Sequence, residues 1–169
     1  IDQNIKIKKK LKVNMKNHNI SDTIRIYSES MSKFNNAFKE LKPNLIVILG
    51  DRFEIFAAAL SAYLLKIPIA HLHGGEITQG AFDDAFRHSI TKLSNFHFVT
   101  NKENFQRVKQ LGENPKNIFI VGSLGSENIK QDILYNKEEL EKKIKFKLKE
   151  INLLITFHPV TLQKDYGKK

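Results

Sequence analysis

Leu45-Ile46-Val47-Ile48-Leu49-Gly50-Asp51-Arg52 is the stretch on which the fold turns. A short, continuous run of branched apolar residues fits a strand buried on both faces, and such strands belong to parallel sheets. The turn Gly50-Asp51-Arg52 follows at once. Downstream, Phe53 to Leu65 reads as a helix lined by Ala57, Ala58, Ala59 and Ala62, small enough for close packing on a sheet. Pro68 to Leu72 starts the next strand, and His73-Gly74-Gly75-Glu76 leaves its carboxyl end. Phe82 to Leu93 then reads as helix, Phe96 to Val99 as strand, Asn101 to Leu111 as helix and Ile118 to Val121 as strand, ended by Gly122-Ser123. This alternation predicts an α/β fold, a doubly wound Rossmann-like parallel sheet with right-handed crossovers.

Upstream, Ser21 can cap a helix in which Ile24, Tyr27, Met31, Phe34, Phe38 and Leu41 form one apolar core stripe ending before Lys42-Pro43. Residues 1–20 have no sustained period, and the lysines at 6, 8, 9, 10 and 12 read as a solvated or loose segment. Residues 126–149 read as charged helix, and Leu153-Leu154-Ile155-Thr156-Phe157 as a new strand ending at His158-Pro159.

A chain of 169 residues makes roughly one domain of about 150. Its 41% hydrophobic content is globular. No apolar run approaches the roughly 18 residues of a membrane span, the longest being broken by Lys66 and Pro68, so a membrane partner is not expected. The absence of cysteine removes disulfide scaffolds, thiolate nucleophiles and Cys-ligated zinc, and points to a reducing, cytoplasmic setting. The net charge of +10 invites a nucleic-acid reading. The excess is scattered lysine, with arginine only at 25, 52, 87 and 107 and no aromatic-interleaved basic stripe, so nucleic acid is not expected. A smaller anion such as a nucleotide diphosphate suits this surface as well. The first residue, Ile1, and the abrupt end after the last apolar segment suggest that both ends have been lost.

In open α/β sheets ligands bind beyond the carboxyl ends of the strands. Four turns meet that condition, carrying Asp51 and Arg52, His71 to Glu76, Gly122 to Gly125, and His158 to Thr161. Asp51 could be a partly desolvated general base with Arg52 on a phosphate, or simply the cap of the helix from Phe53. Gly74 and Gly75 could present amides to an anion or make an ordinary tight turn. His71, His73 and Glu76 could hold a metal, although a neutral histidine packed at a strand end is the blander expectation. Asp83 and Asp84, one turn before Arg87 and His88, could cap their helix. Alternatively Arg87 orients a carboxylate into the cleft of Asp51 and Glu76, where repulsion would raise one pKa. His97 reads as a strand residue with a satisfied ring nitrogen.

Taken in order, Gly50-Asp51-Arg52-Phe53-Glu54, His71-Leu72-His73-Gly74-Gly75-Glu76, Asp83 to Lys92, Val121-Gly122-Ser123 and His158-Pro159-Val160-Thr161 resemble the hydrolysing UDP-N-acetylglucosamine 2-epimerases. The resemblance spans about residues 43–161. It implies a two-domain glycosyltransferase-B fold, with residues 1–130 an incomplete N-terminal Rossmann-like domain. Residues 131–169 would be linker helices and the start of a truncated C-terminal one. It also implies a metal-free, cofactor-free reaction on a UDP-sugar, in which UDP is eliminated to give a glycal and water then adds to give the free sugar epimerised at C2, for nonulosonate synthesis. Asp51 and Asp83 match catalytic carboxylates and Arg87 the orienting partner of Asp83. Arg52 and His158 match groups on the diphosphate, and Gly74, Gly75 and Ser123 complete the expected substrate contacts. Where several relatives carry a catalytic glutamate this chain has His73, so either His73 does that acid/base work, Glu76 substitutes for it, or the sugar differs. The family also suggests a homo-oligomer, a dimer or higher. The competing reading is a non-catalytic nucleotide-sugar-binding module whose carboxylates are caps, or an inactive fragment.

Overall fold

The structure, a computed structural model, describes residues 6–14, 20–125 and 135–156. The chain divides into two compact units, Ile1–Gly122 and Ser123–Lys169.

In the first unit, helix α1 (Ile20–Leu41) precedes strand β1 (Ile46–Leu49), helix α2 (Phe53–Leu64), strand β2 (Ile69–Leu72), helix α3 (Phe82–Leu93), strand β3 (Phe96–Val99), helix α4 (Lys102–Gln110) and strand β4 (Ile118–Ile120). All strand pairs are parallel, in the order β1-β2-β3-β4, with Ile48 opposite His71, His71 opposite His97 and His97 opposite Ile118. This is the expected Rossmann-like α/β fold. Because every crossover steps the same way along the sheet, right-handedness puts α2, α3 and α4 on one face. A doubly wound sheet needs a reversal of strand order to cover its second face, and the described residues form one wing without it.

The covered face is a core of Phe38, Ile48, Ala58, Ala59, Ala62, Ile69 and Ile90, continued by Val99, Val108 and Ile118. The alanines let α2 sit between the sheet and α1, which packs on α2. On the opposite face Val47 is 63% and Leu49 53% exposed, and Phe96 and Phe119 are exposed as well. The run Leu45–Leu49 is therefore not buried on both faces. Its apolar residues supply two faces, and the crossovers cover one.

Two further expectations change. The α1 helix already includes Ser21, so that residue lies in its first turn and is not its cap. The buried side of α1 carries Ile26, Ser30, Ala37 and Phe38, while Ile24 and Leu41 are exposed, because α2 meets the helix along a narrower line than the apolar stripe. Residues 6–14 lack regular secondary structure. They are tied along α1 by a Lys9–Glu40 ion pair and by Lys33 and Arg25 donating to the carbonyls of Lys12 and Asn14.

The described part of the second unit holds helix α5 (Lys137–Ile144), whose Asn136 and Glu139 form a reciprocal capping box. Lys145 closes it in the left-handed conformation, so residues 145–149 are not helical. Residues 152–156 form no strand, and Leu153 is 84% exposed. A lone apolar run with no hydrogen-bonded neighbour has no ladder to join. Phe157 and His158 lie outside the described residues.

Candidate active site at the carboxyl ends of the strands

Arg87 organises the site. It lies on α3 among buried residues, where a guanidinium must be paired. One amino group donates to the carbonyl oxygen of Glu76 at 2.8 Å and to Asp84 Oδ1 at 3.3 Å. The other forms an ion pair with Asp51 and donates to Thr78 Oγ1 at 2.9 Å. The planar fork thus ties the β1–α2 turn to the β2–α3 loop. Asp84 Oδ1 also accepts from the Thr78 amide at 2.8 Å, and Asp84 Oδ2 lies 3.6 Å from His88 Nε2.

This geometry removes the capping account of Asp51. The N-cap of α2 is Arg52, with no side-chain cap, and Asp51 turns instead to Arg87, 36 positions away in the chain. Likewise Ala81, without a side-chain cap, is the N-cap of α3. The carboxylates that accept from Arg87 are those of Asp51 and Asp84, and none of its hydrogen bonds goes to Asp83, contrary to the pairing expected of it. Asp83 lies near Asp51, and its pKa is raised, first by burial and then by the Asp51 charge. Arg52 and Arg87 oppose the rise. One carboxylate is therefore neutralised by a guanidinium while its neighbour is pushed toward the protonated form, which is how acid and base roles separate.

His71 and His73 do not act as a pair. His71 is fully buried on the helix-facing side of β2, with Nε2 3.3 Å from the Gly50 carbonyl and Nδ1 3.2 Å from Thr91 Oγ1. Burial lowers its pKa to about 4, so the ring is neutral and joins the β1 turn to α3. His73 falls beyond the strand with a left-handed backbone (φ 63°), and its Nδ1 lies 3.1 Å from Glu76 Oε1. Glu76 thus binds His73 and also accepts from Thr100 Oγ1 at 3.4 Å. Among the described residues no three His, Cys, Asp or Glu side chains form a cluster that could hold a metal.

The two glycines are required by packing. A Cβ at Gly74 would stand 3.1 Å from both His71 Nδ1 and Thr91 Oγ1. At Gly75, where φ is +80°, a Cβ would meet the Asn104 carbonyl at 2.6 Å. Arg52 is outward, paired with Glu54 at 3.0 Å and stacked over Phe53. His97 is fully buried with Nε2 3.2 Å from Glu113, but its Nδ1 has no partner among the described residues. Ser123 belongs to the second unit.

Sequence reasoning missed Thr78, Thr91, Thr100, Asn104 and Arg107. Asn104 is buried, donates to Thr100 Oγ1 at 2.7 Å and accepts from Arg107 at 2.9 Å, and Arg107 also holds the Gly75 carbonyl. The one available signal was Asn101, which caps α4 and so fixes which side chains of that helix face the loop.

Fold and site together define a Rossmann-like domain with a carboxylate and guanidinium cluster where such sheets bind ligands. The family described as UDP-N-acetylglucosamine 2-epimerase matches residues 1–168, and the chain belongs to it. It is 44% identical over 162 residues to a GDP/UDP-N,N'-diacetylbacillosamine 2-epimerase (hydrolyzing) of Campylobacter jejuni, covering 96% of this chain and 42% of the relative. It is 39% identical over 159 residues to polysialic acid biosynthesis protein P7 of Escherichia coli, covering 94% of this chain and 40% of that protein. The chain thus spans about two fifths of the length of these curated relatives. Among solved structures, the UDP-GlcNAc 2-epimerase of Neisseria meningitidis bound to UDP-GlcNAc superposes with a TM-score of 0.63 at 22% identity, over 73% of this chain and 36% of that one. The S. aureus MnaA–UDP co-structure superposes at 0.68 with 20% identity, over 82% and 37%. These likenesses agree with the Rossmann-like fold of glycosyltransferase-B-type epimerases.

Proposed function

We propose that this chain carries the catalytic carboxylates of a hydrolysing UDP-sugar 2-epimerase, and that the sugar is a UDP-diacetamido sugar. The observation that carries the reading is the convergence of Asp51, Asp83 and Asp84 around buried Arg87 beyond the strand ends. The sugar assignment rests on the 44% and 34% identities to two diacetylbacillosamine 2-epimerases. UDP-N-acetylglucosamine is the second reading, favoured by a 36% identity over 124 residues to the epimerase of Neisseria meningitidis serogroup B.

In this reading elimination comes first. The C2–H bond breaks to a base, its electron pair becomes the C1=C2 bond of a glycal, and the C1–O pair leaves with UDP. Water then adds at C1 and a proton at the opposite face of C2, giving the free epimer for nonulosonate synthesis. Asp83, biased toward its protonated form, suits proton donation, and Asp51 held by Arg87 suits stabilisation of developing positive charge. His73 and Glu76 supply the remaining acid/base group. Arg52, once released from Glu54, would take a diphosphate oxygen, while Gly74 and Gly75 contact the substrate. Residues 1–130 would be the N-terminal Rossmann-like domain and 131–169 the passage into the second. The whole protein would act as a cytoplasmic homo-oligomer without a metal or other cofactor. No helix among the described residues is long and apolar enough to cross a membrane.

The test is incubation of the purified chain with each UDP-sugar, following UDP by chromatography and the freed sugar by proton NMR. UDP release with a C2-inverted product from the diacetamido substrate is expected. Release from UDP-N-acetylglucosamine alone would favour the second reading, and intact substrates in both tubes would contradict the reading.

A further inference from the structure

His73 pairs an unusual backbone with an uncommitted ring nitrogen. Its φ of 63° lies in the left-handed region, which residues with a Cβ rarely adopt and which clusters at functional sites. The conformation is held by the His73 amide donating to the Phe98 carbonyl at 2.8 Å and by the closely packed Gly74-Gly75 turn that follows. It takes the ring out of the strand alternation and brings Nδ1 to 3.1 Å from Glu76 Oε1.

Glu76 is itself fixed from the other side. Its Oε1 accepts from Thr100, Thr100 accepts from Asn104, and Asn104 accepts from Arg107. A carboxylate so placed keeps the imidazole proton on Nδ1 and leaves the lone pair on Nε2. That Nε2 is buried, and no hydrogen-bond partner for it exists among the described residues. The neighbouring ionisable groups are already engaged. Asp51 and Asp84 bind Arg87, Arg52 binds Glu54, and both ring nitrogens of His71 have partners. Asp83 is biased toward its acid form.

Building on the UDP-sugar reading above, we propose that His73 Nε2 is the base that removes the C2 proton, with Glu76 as the positioning residue that fixes its tautomer. The proton passes from C2 to Nε2, the C2–H pair becomes the C1=C2 bond, and the C1–O pair departs with UDP. The resulting imidazolium is stabilised by the Glu76 carboxylate.

Two measurements test this. In the 15N-labelled chain, imidazole nitrogen shifts report which atom of His73 carries the proton, and the His73→Asn variant assigns the signal. Asparagine tolerates the left-handed backbone, so the turn is kept. Nδ1–H is expected in the parent, and a tautomer mixture in Glu76→Ala. UDP release from the UDP-sugar is expected to fall by about 100-fold or more in His73→Asn, the scale of a lost general base, with UDP affinity retained. A smaller fall is expected in Glu76→Ala. If the parent releases UDP and His73→Asn does so equally fast, this assignment falls while the epimerase reading stands. A parent that leaves both UDP-sugars intact overturns both readings. A proton found on Nε2, or an unchanged tautomer in Glu76→Ala, overturns the dyad independently of any turnover.

Discussion

On one face of the sheet Ile48, Ile69, His71 and Val99 are sealed beneath helices, while on the other Val47, Leu49, Phe96 and Phe119 face solvent, although both sets alternate along the same four strands. Residue type does not separate them, since the open face is the more uniformly apolar and the sealed one holds two histidines. What separates them is the direction of the crossovers, a property of chain order rather than of any side chain. The site follows the same logic, because Arg87 reaches Asp51 only by virtue of α3 lying on the covered side.

The contrast can be broken first by truncation. Ile69→Ala is expected to cost about 2–5 kcal/mol in chemical denaturation, the usual range for a fully buried isoleucine. Acid probes the sealed histidine. Because the folded state holds His71 at a pKa of about 4 against 6.5 in the unfolded chain, the unfolded state binds more protons between those values. Stability is therefore complete above pH 6.5 and lost as pH falls toward 4, by roughly 3 kcal/mol if the full shift is realised. His97, also lowered by burial, acts in the same direction. Denaturation midpoints at pH 7 and pH 4.5 check this, and a pH-independent midpoint would contradict it. Thr91→Val, which leaves His71 Nδ1 without its partner, is expected to cost about 1–3 kcal/mol. Val47→Ser on the open face is expected to stay within about 0.5 kcal/mol. A cost there as large as at Ile69 would mean that the face is covered in solution.

The elements were legible because each strand is a short, mostly apolar run closed by glycine or a polar turn, and the long helices have their period. The open face was not, since an apolar strand carries no record of what packs on it. Asp51 and Glu76 could be placed at strand ends from the sequence, but the bond from Asp51 to Arg87 spans 36 residues and depends on the sheet bringing α3 to the β1 turn. The spacing of His73 and Glu76 was visible. The left-handed backbone that lets them meet was not, because histidine rather than glycine occupies the position. The polar chain through Thr100, Asn104 and Arg107 escaped notice since Asn104 and Arg107 are ordinary on a helix surface and only the register of α4 turns them toward Thr100 in the preceding turn.

The central claim is that the Asp51–Arg87 cluster does chemistry rather than holding a turn. The most direct test is the Asp51→Asn chain, measured for turnover of its UDP-sugar and for UDP affinity. The account predicts that turnover falls by about 100-fold or more while UDP binds as tightly as before. Turnover equal to that of the parent chain would contradict it.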